Sequence, residues 1–290
     1  MNANIEKLMA GGMVLTDGAW GTQLQARGLS IGDFPDAWNL SHADRVAEVA
    51  RAYVAAGSQV ILTNTFGSNR IRLAENQMAD QVVAFNRRGV EISKQAAAGK
   101  ALVFASIGPS GKMMLSGEVT PEELLAAFEE QAHALAAGGA DALLVETMAD
   151  LEEAKLAVMA AKKTGLTVAA CMVYDSGKDK DRTMMGNTPE QAAAGLAAAG
   201  ADIIGANCGQ GIAGFVPICK RLRAATKLPI WIKGNAGLPE MVEGKTVYRT
   251  SPAQFTQYVP AMLEAGANFF GGCCGTSPEF IAATKAVLNR

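Results

Sequence analysis

A short strand followed by a helix recurs eight times along the chain, and this repetition limits the possible folds more than any other feature. Each unit is an apolar run that ends at a small or polar residue and is followed by an alanine-rich segment of helical periodicity. Eight such units without a break in composition favour one closed parallel barrel over an open doubly wound sheet. The predicted strands are 13–16, 59–62, 102–107, 142–145, 168–173, 202–206, 229–232 and 267–270.

The predicted fold is therefore a single α/β domain over residues 1–290, a (β/α)8 TIM barrel; a two-domain Rossmann-type chain is the alternative. Helix starts agree with this division, because an N-cap residue followed by proline opens several of the helical segments. These starts are Thr120-Pro121, Thr188-Pro189, Ser251-Pro252 and Ser277-Pro278. Other predicted helices are 43–56, 79–98, 150–163 and 215–225, and the one that starts at 251 runs to 265.

Three cysteines lie where apolar runs meet glycine. Cys273 and Cys274 are adjacent in Gly271-Gly272-Cys273-Cys274-Gly275-Thr276, and Cys208 ends a separate apolar run. Three thiolates around a tetrahedral ion leave the fourth position open, which is the pattern of a catalytic zinc site. Two other interpretations stay open: small buried hydrophobic side chains or a redox pair. None of the usual paired-cysteine zinc spacings is present.

The predicted barrel brings these thiols to one place, since the active site of such a barrel lies at the C-terminal ends of its strands. Core cysteines have no reason to collect at that end, so the fold strengthens the prediction of Zn²⁺ on Cys208, Cys273 and Cys274. The residues expected at the strand ends are Asp17, Thr63, Asn64, Gly108, Glu146, Cys208, Asn235, Cys273 and Cys274.

A zinc ion held by three thiolates is a weak Lewis acid for water and a good docking point for a thiol. A free thiol has a pKa of about 8.5 and is only slightly ionised at neutral pH. Lowering this pKa by roughly two units, which corresponds to about 2.7 kcal/mol, makes the thiol mostly thiolate. The sequence therefore predicts alkylation of a thiol, with Cys208, Cys273, Cys274 and Glu146 as the catalytic residues.

Polar residues at the other strand ends suit the remainder of an amino-acid thiol. The side chains of Asp17, Glu146 and Asn235 can hold an ammonium group, and the amides around Gly18 and Ala19 can hold a carboxylate. For Glu146 the alternative is a buried structural acid. Lys233 offers another possibility, a Schiff-base lysine in a barrel aldolase or isomerase.

Charge and cysteine usage narrow the class of partner. The net charge is −2 at pH 7, which gives no electrostatic footprint for nucleic acid or an anionic membrane. No apolar run reaches the roughly 18 residues that cross a bilayer. Five cysteines in a long chain without a secretory signal predict a reducing, cytoplasmic location.

Six segments of the sequence form a recognisable set: Asp17–Thr22, Thr63–Phe66, Glu146-Thr147, Asn207-Cys208, Asn235–Pro239 and Gly271–Thr276. Together they resemble the homocysteine S-methyltransferase family, which includes the homocysteine-binding module of cobalamin-dependent methionine synthase and the betaine-homocysteine methyltransferases. The resemblance covers nearly the whole chain. It implies a barrel with zinc on Cys208, Cys273 and Cys274, and homocysteine, methylated to methionine, as the substrate. It also implies that homocysteine is held by Asp17, Gly18, Ala19, Thr63, Glu146 and Asn235.

Two positions depart from the family pattern. Lys233-Gly234 stands where the synthase modules usually have His-Pro, which places a cation beside the amino end of the substrate, and Trp20 replaces a commoner methionine. Both positions bear on the identity of the thiol. A non-enzymatic zinc or redox sensor that uses the same thiols is a further alternative.

The methyl donor is not specified by any segment, because nothing in the sequence resembles a corrinoid-binding or folate-binding module. The expected donor is a small molecule, such as S-methylmethionine, betaine or a methylcorrinoid, or a methyl group on a separate corrinoid carrier protein. A multi-protein corrinoid system that uses another thiol or donor stays open as an alternative function.

Overall fold

The computed structural model describes residues 1–242 and 245–289, and eight parallel strands form the centre of this structure. Neighbouring strands follow the order β1-β10-β7-β6-β5-β4-β3-β2. The Gln59 N–H donates to the Leu15 carbonyl over 2.8 Å, which links β2 back to β1 and nearly closes the barrel. The predicted TIM barrel is confirmed. The strands are β1 Val14–Leu15, β2 Val60–Ile61, β3 Leu102–Ile107, β4 Ala142–Met148, β5 Thr167–Met172, β6 Ile203–Gly211, β7 Ile230–Asn235, β8 Glu240–Val242, β9 Lys245–Val247 and β10 Phe269–Gly272.

Helices surround the barrel and begin where the sequence places their caps. Thr120, Thr188 and Ser251 each form a capping box with a residue three positions later, and a proline follows each cap. The α-helices are α1 Ala3–Ala10, α2 Gly21–Gln25, α3 Trp38–Ser41, α4 Ala43–Ala56, α5 Arg70–Glu75, α6 Val82–Ala97, α7 Pro121–Ala137, α8 Leu151–Lys162, α9 Pro189–Ala198, α10 Phe215–Ala225, α11 Pro252–Thr256, α12 Val259–Glu264 and α13 Pro278–Leu288. Short 3₁₀ helices are Pro35–Ala37, Ala79–Gln81 and Ile212–Gly214.

The interior of the barrel is filled by alternate residues of the strands. Phe104, Trp231 and Phe269 form an aromatic layer in which the Trp231 and Phe269 rings stack with centroids 4.9 Å apart. Ile5 of α1 joins the same buried cluster. The aromatic layer is a rigid floor beneath the mouth of the barrel, because packed aromatic side chains fill its cross-section.

The alternation of side chains along the strands extends the interior face of the barrel to its mouth. Side chains two residues apart point to the same side of a strand. Ser106, Glu146 and Lys233 each lie two residues beyond an interior apolar residue (Phe104, Leu144 and Trp231), and all three are buried polar residues. The apolar floor and the polar mouth are therefore successive layers of one inner surface.

Several elements differ from the predictions. The short helices α1, α2, α3 and α5 were not predicted, and the predicted helix 79–98 begins as a 3₁₀ helix before α6. The predicted helix 251–265 is divided into α11 and α12, with Pro260 in the first turn of α12. A two-stranded antiparallel hairpin, β8 and β9, follows β7 and was not predicted. Strand β6 continues past its predicted end at 206 to Gly211. No helix in the described part of the chain is long and apolar enough to span a membrane.

Candidate active site

Three thiols meet at the mouth of the barrel, as the sequence predicts. The Sγ atoms of Cys208, Cys273 and Cys274 all lie within 4.8 Å of one another, and the Cys208 and Cys274 Sγ atoms are 3.8 Å apart. Zinc–sulfur bonds of about 2.3 Å in a tetrahedron place the sulfurs about 3.8 Å apart. The arrangement of the thiols therefore fits a tetrahedral ion.

The backbone conformation at two strand ends positions these sulfurs. Cys208 has a φ of 62°, a left-handed conformation that is uncommon for residues other than glycine. The loop after β10 is fixed by the Cys273 N–H, which donates to the Gly234 carbonyl, and by the Cys274 carbonyl, which accepts from the Ala236 N–H. These bonds hold the paired cysteines against the end of β7.

The electrostatics of the cluster favour a cation. Contact with Cys273 lowers the pKa of Cys208, but contact with Cys274 and burial outweigh this effect and raise the pKa to about 12. The contact with Cys208 and burial raise the pKa of Cys273. Three crowded thiols cannot all ionise without a positive charge among them. A divalent cation that prefers sulfur ligands would supply this charge, so the donor set fits zinc.

Glu146 lies beside the thiols in a network of hydrogen bonds. Its Oε1 accepts from the Ser106 hydroxyl over 2.5 Å, and its Oε2 accepts from the Asn207 side chain over 3.3 Å. The Asn207 amide also donates to the Thr147 hydroxyl and lies 3.8 Å from the Cys273 Sγ. Burial raises the pKa of Glu146, although nearby Lys233 opposes this shift. Asn207 thus links the carboxylate to the thiol cluster.

Asp17, just after β1, and Lys233, on β7, form a buried ion pair over the end of β10. The Lys233 Nζ donates to the Asp17 Oδ1 over 2.6 Å, and the two side chains are 2% and 0% exposed. The Asp17 Oδ2 accepts from the Leu62 N–H and from the Trp20 indole over 2.7 and 2.8 Å. Burial lowers the pKa of Lys233, but Asp17 and Glu146 outweigh burial and raise it overall. A Schiff-base lysine needs a neutral amine, so this pairing disfavours the aldolase interpretation.

The segment at Gly18 and Ala19 is packed tightly against the loop after β10. A Cβ at Gly18 would lie 2.7 Å from the Thr276 Oγ1 and 2.8 Å from the Tyr53 hydroxyl oxygen, so only glycine fits. The Ala19 N–H donates to the Thr276 Oγ1, and the Ala19 carbonyl accepts from the Tyr53 hydroxyl. This packing brings the first strand end onto the loop that carries the paired cysteines.

A cavity of about 770 Å³ opens above these groups. Its wall includes all three cysteines, Glu146 and Lys233. Of the predicted substrate residues, Gly18, Ala19, Thr63 and Glu146 line this cavity, whereas Asp17 and Asn235 do not. The roles assigned to these residues from the sequence stay predictions. Loops and helix α5 form the outer wall, which includes Trp20, Phe34, Phe66, Arg72, Glu75 and Tyr248.

Thr63 and Asn235 differ in how their polar atoms are used. The Thr63 hydroxyl accepts from the Ser106 N–H over 3.0 Å and lies 2.6 Å from the Thr65 hydroxyl. Within the described residues, the buried Oδ1 of Asn235 has no hydrogen-bond partner. Asn235 therefore retains a free acceptor, while the hydroxyl of Thr63 is already engaged.

The sequence analysis missed two contributors to the site. Ser106 is one residue from the end of β3 and on the inner face, so strand alternation from Phe104 is a signal that identifies it. Tyr248 comes from the segment after the unpredicted hairpin and lies against the Gly275 backbone, where burial raises the pKa of its hydroxyl. No strand pattern places Tyr248, because its position depends on the loop.

Comparisons with known proteins agree with this architecture. A family model described as Homocysteine S-methyltransferase matches residues 14–288. The methionine synthase of Mycobacterium leprae is 29% identical over 306 aligned residues, which cover 100% of this chain and 25% of that protein. The methionine synthase of Mycobacterium tuberculosis is 29% identical, with 95% of this chain and 24% of that protein covered. The chain thus spans about a quarter of the length of these relatives.

Solved structures give the same picture. The homocysteine methyltransferase MmuM from Escherichia coli, in its metallated form, is 25% identical with a TM-score of 0.80 over 99% of both chains. Its oxidized form has a TM-score of 0.83 over 99% of this chain and 100% of that one. The carboxyl transferase domain of Rhizobium etli pyruvate carboxylase, at 17% identity and a TM-score of 0.54, shares only the fold.

Proposed function

The chain belongs to the homocysteine S-methyltransferase family, and from this we propose that it is a zinc-dependent enzyme that methylates homocysteine to methionine. The observation that carries the proposal is the group of three Sγ atoms within 4.8 Å of one another on the wall of the cavity. The metallated form of MmuM supports a metal in this family. A thiol site beside a buried carboxylate suits an amino-acid thiol.

Cys208, Cys273 and Cys274 are the proposed zinc ligands. When bound, zinc supplies a positive charge that lowers the pKa of a thiol substrate and so makes its sulfur nucleophilic near neutral pH. Asn207 keeps Glu146 and Cys273 at a fixed separation through its side-chain contacts. The Glu146 carboxylate therefore orients one end of the substrate, while the substrate sulfur lies at the thiol cluster.

In the proposed reaction the substrate thiol releases its proton to solvent when it binds, and its sulfur forms a bond to the methyl carbon of the donor. The bond between that carbon and the donor breaks at the same time, and the electron pair leaves with the donor. Glu146 accepts hydrogen bonds from the substrate ammonium, and Gly18, Ala19 and Thr63 shape the wall around it. Asp17 acts through Lys233. A direct contact between the free Oδ1 of Asn235 and the substrate ammonium requires the wall of the cavity to adjust, because Asn235 lies behind it.

We propose a donor that enters through the loop-lined outer part of the cavity. The volume of about 770 Å³ leaves room beside a small thiol for a second reactant. S-methylmethionine, betaine or a methylcorrinoid, free or on a separate carrier protein, are the proposed donors. Nucleic acid and membranes are not proposed partners. A cytoplasmic location is proposed because three free thiols must stay reduced.

Turnover by the zinc-loaded protein tests the proposal. Homocysteine is supplied with S-methylmethionine, betaine or methylcobalamin in separate reactions, and methionine is measured by mass spectrometry. We expect methionine with at least one donor and none from protein stripped by a chelator. Equal turnover by the stripped protein excludes the zinc assignment. No methionine from any donor, with zinc bound, excludes homocysteine methylation with these donors.

Glu146→Gln is expected to weaken homocysteine binding by about 10-fold, because a hydrogen bond between charged groups contributes about 1.5–3 kcal/mol and the amide retains part of it. Propanethiol, which has no ammonium, should bind to the variant and the wild type within about twofold. Calorimetric titration of the zinc-loaded proteins measures both affinities. Equal losses for the two thiols contradict the ammonium role of Glu146.

A further inference from the structure

We propose that Lys233 makes this site selective for thiols that carry an anionic group, so that the substrate carboxylate contributes more to binding than the substrate ammonium. The inference rests on the proposed function and refines which thiols the same site accepts. It predicts that short mercapto-carboxylates without an amino group are ligands and substrates.

The hydrogen bonding of Lys233 is the first argument. Its ammonium carries three N–H donors, and Asp17 Oδ1 is its one acceptor among residues 1–242 and 245–289. Lys233 is 2% exposed and lines the cavity. A buried charged donor without acceptors is costly, so the remaining N–H groups favour a ligand that brings an anionic oxygen.

The state of Asp17 is the second argument. Lys233, Leu62 and Trp20 already donate to its two oxygens, and Asp17 does not reach the cavity wall. Without Lys233, the carboxylates of Asp17 and Glu146 would together receive a substrate ammonium. With Lys233 beside them, a substrate ammonium faces a positive charge instead. The Lys233 ammonium already neutralises Asp17. Glu146 is therefore the remaining carboxylate that can contact a substrate amino group.

The amide groups predicted to hold the carboxylate are also partly engaged. The Ala19 N–H donates to the Thr276 Oγ1 over 3.1 Å. Among the described residues that line the cavity, the other cation is Arg72, and its guanidinium lies 4.0 Å from the Glu75 carboxylate. Of these two cations, Lys233 is therefore the buried one whose ammonium has N–H groups without an acceptor among the described residues.

Lys233 is also close to the thiol cluster. It pairs in register with Gly271 of β10, and Cys273 comes directly after the end of that strand. The side chains of Lys233 and Cys273 both line the cavity, and they are close enough to interact electrostatically. A short thiol whose sulfur lies at the cluster therefore has its carboxylate beside Lys233.

Thiol analogues test this assignment in the zinc-loaded full chain. Homocysteine is compared with its analogue without the amino group (4-mercaptobutyrate) and its analogue without the carboxylate (3-mercaptopropylamine), by calorimetric titration. We expect loss of the carboxylate to weaken binding at least 10-fold more than loss of the amino group. The variant Asp17→Asn with Lys233→Met, which removes both buried charges, should reduce this difference to less than threefold. Lys155→Met, on the exposed face of α8, is the matched control and should leave it unchanged.

The outcomes separate the inference from the proposed function. Tighter binding of the amine analogue to the wild type, or an unchanged ratio in the double variant, overturns the inference even when homocysteine is methylated. The expected ranking with no methyl transfer from any donor supports the inference and counts against the proposed function. Failure of all three thiols to bind overturns both.

Discussion

Cys273→Ala is expected to abolish zinc binding and thiol methylation while the barrel remains folded. Loss of one of three ligands should lower the rate by more than about 100-fold, since even residues that only support ligands contribute 10–100-fold. The fold should survive because Cys273 is partly exposed and the loop is held by backbone bonds to Gly234 and Ala236. Elemental analysis of zinc per chain, methylation rate and circular dichroism measure these three properties.

Cys219→Ala provides the matched control for this variant. Cys219 is buried on α10, and its Sγ contacts the Ala265 carbonyl, far from the mouth of the barrel in the helical layer. It makes no contact with the three clustered thiols, so zinc content and rate should stay within about twofold of the wild type. Retention of stoichiometric zinc by the Cys273 variant contradicts the proposed ligand set.

Lys233→Met is expected to lower the free energy of unfolding by about 3–5 kcal/mol, because it leaves the buried Asp17 carboxylate without its cation. The double variant Asp17→Asn with Lys233→Met should recover most of this loss, since replacing both charges of a buried pair is often nearly neutral. Urea unfolding followed by circular dichroism gives the free energies for a double-mutant cycle.

The cycle distinguishes a structural ion pair from two independent residues. Additive losses from the single variants, or a loss below about 1 kcal/mol for Lys233→Met, would show that Asp17 does not depend on the lysine. Asp17 keeps two other donors, the Leu62 N–H and the Trp20 indole. These donors set the lower end of the expected range.

Much of the architecture is predictable because it follows from periodicity. Along each strand the side chains alternate between the barrel interior and the buried layer under the helices, so the last inward residue is fixed by the apolar residue two positions earlier. The pattern of Phe104 and Trp231 thus locates Ser106 and Lys233 as well as their strands. The helix starts at Thr120-Pro121 and Thr188-Pro189 are likewise local signals, and both are confirmed.

What was not predictable depends on contacts between distant residues. The Asp17 and Lys233 side chains meet across 216 positions of sequence, and no local pattern indicates that an acid expected to bind substrate is paired within the barrel. The left-handed backbone of Cys208 and the bridging role of Asn207 depend on neighbouring strands in the same way. The assignment of 1–290 as one domain and the substrate roles of individual residues stay predictions.

The cavity is divided between two kinds of structural element. Its inner end consists of strand-end groups above the aromatic layer of Phe104, Trp231 and Phe269, and its outer end consists mainly of loops, with one side of α5. Loops tolerate insertion and substitution far better than packed strands do. Changes in the loops can therefore alter which methyl donor is accepted while the strand-end residues that bind the thiol stay the same. Laboratory selection for a new alkyl donor is best confined to the loop residues.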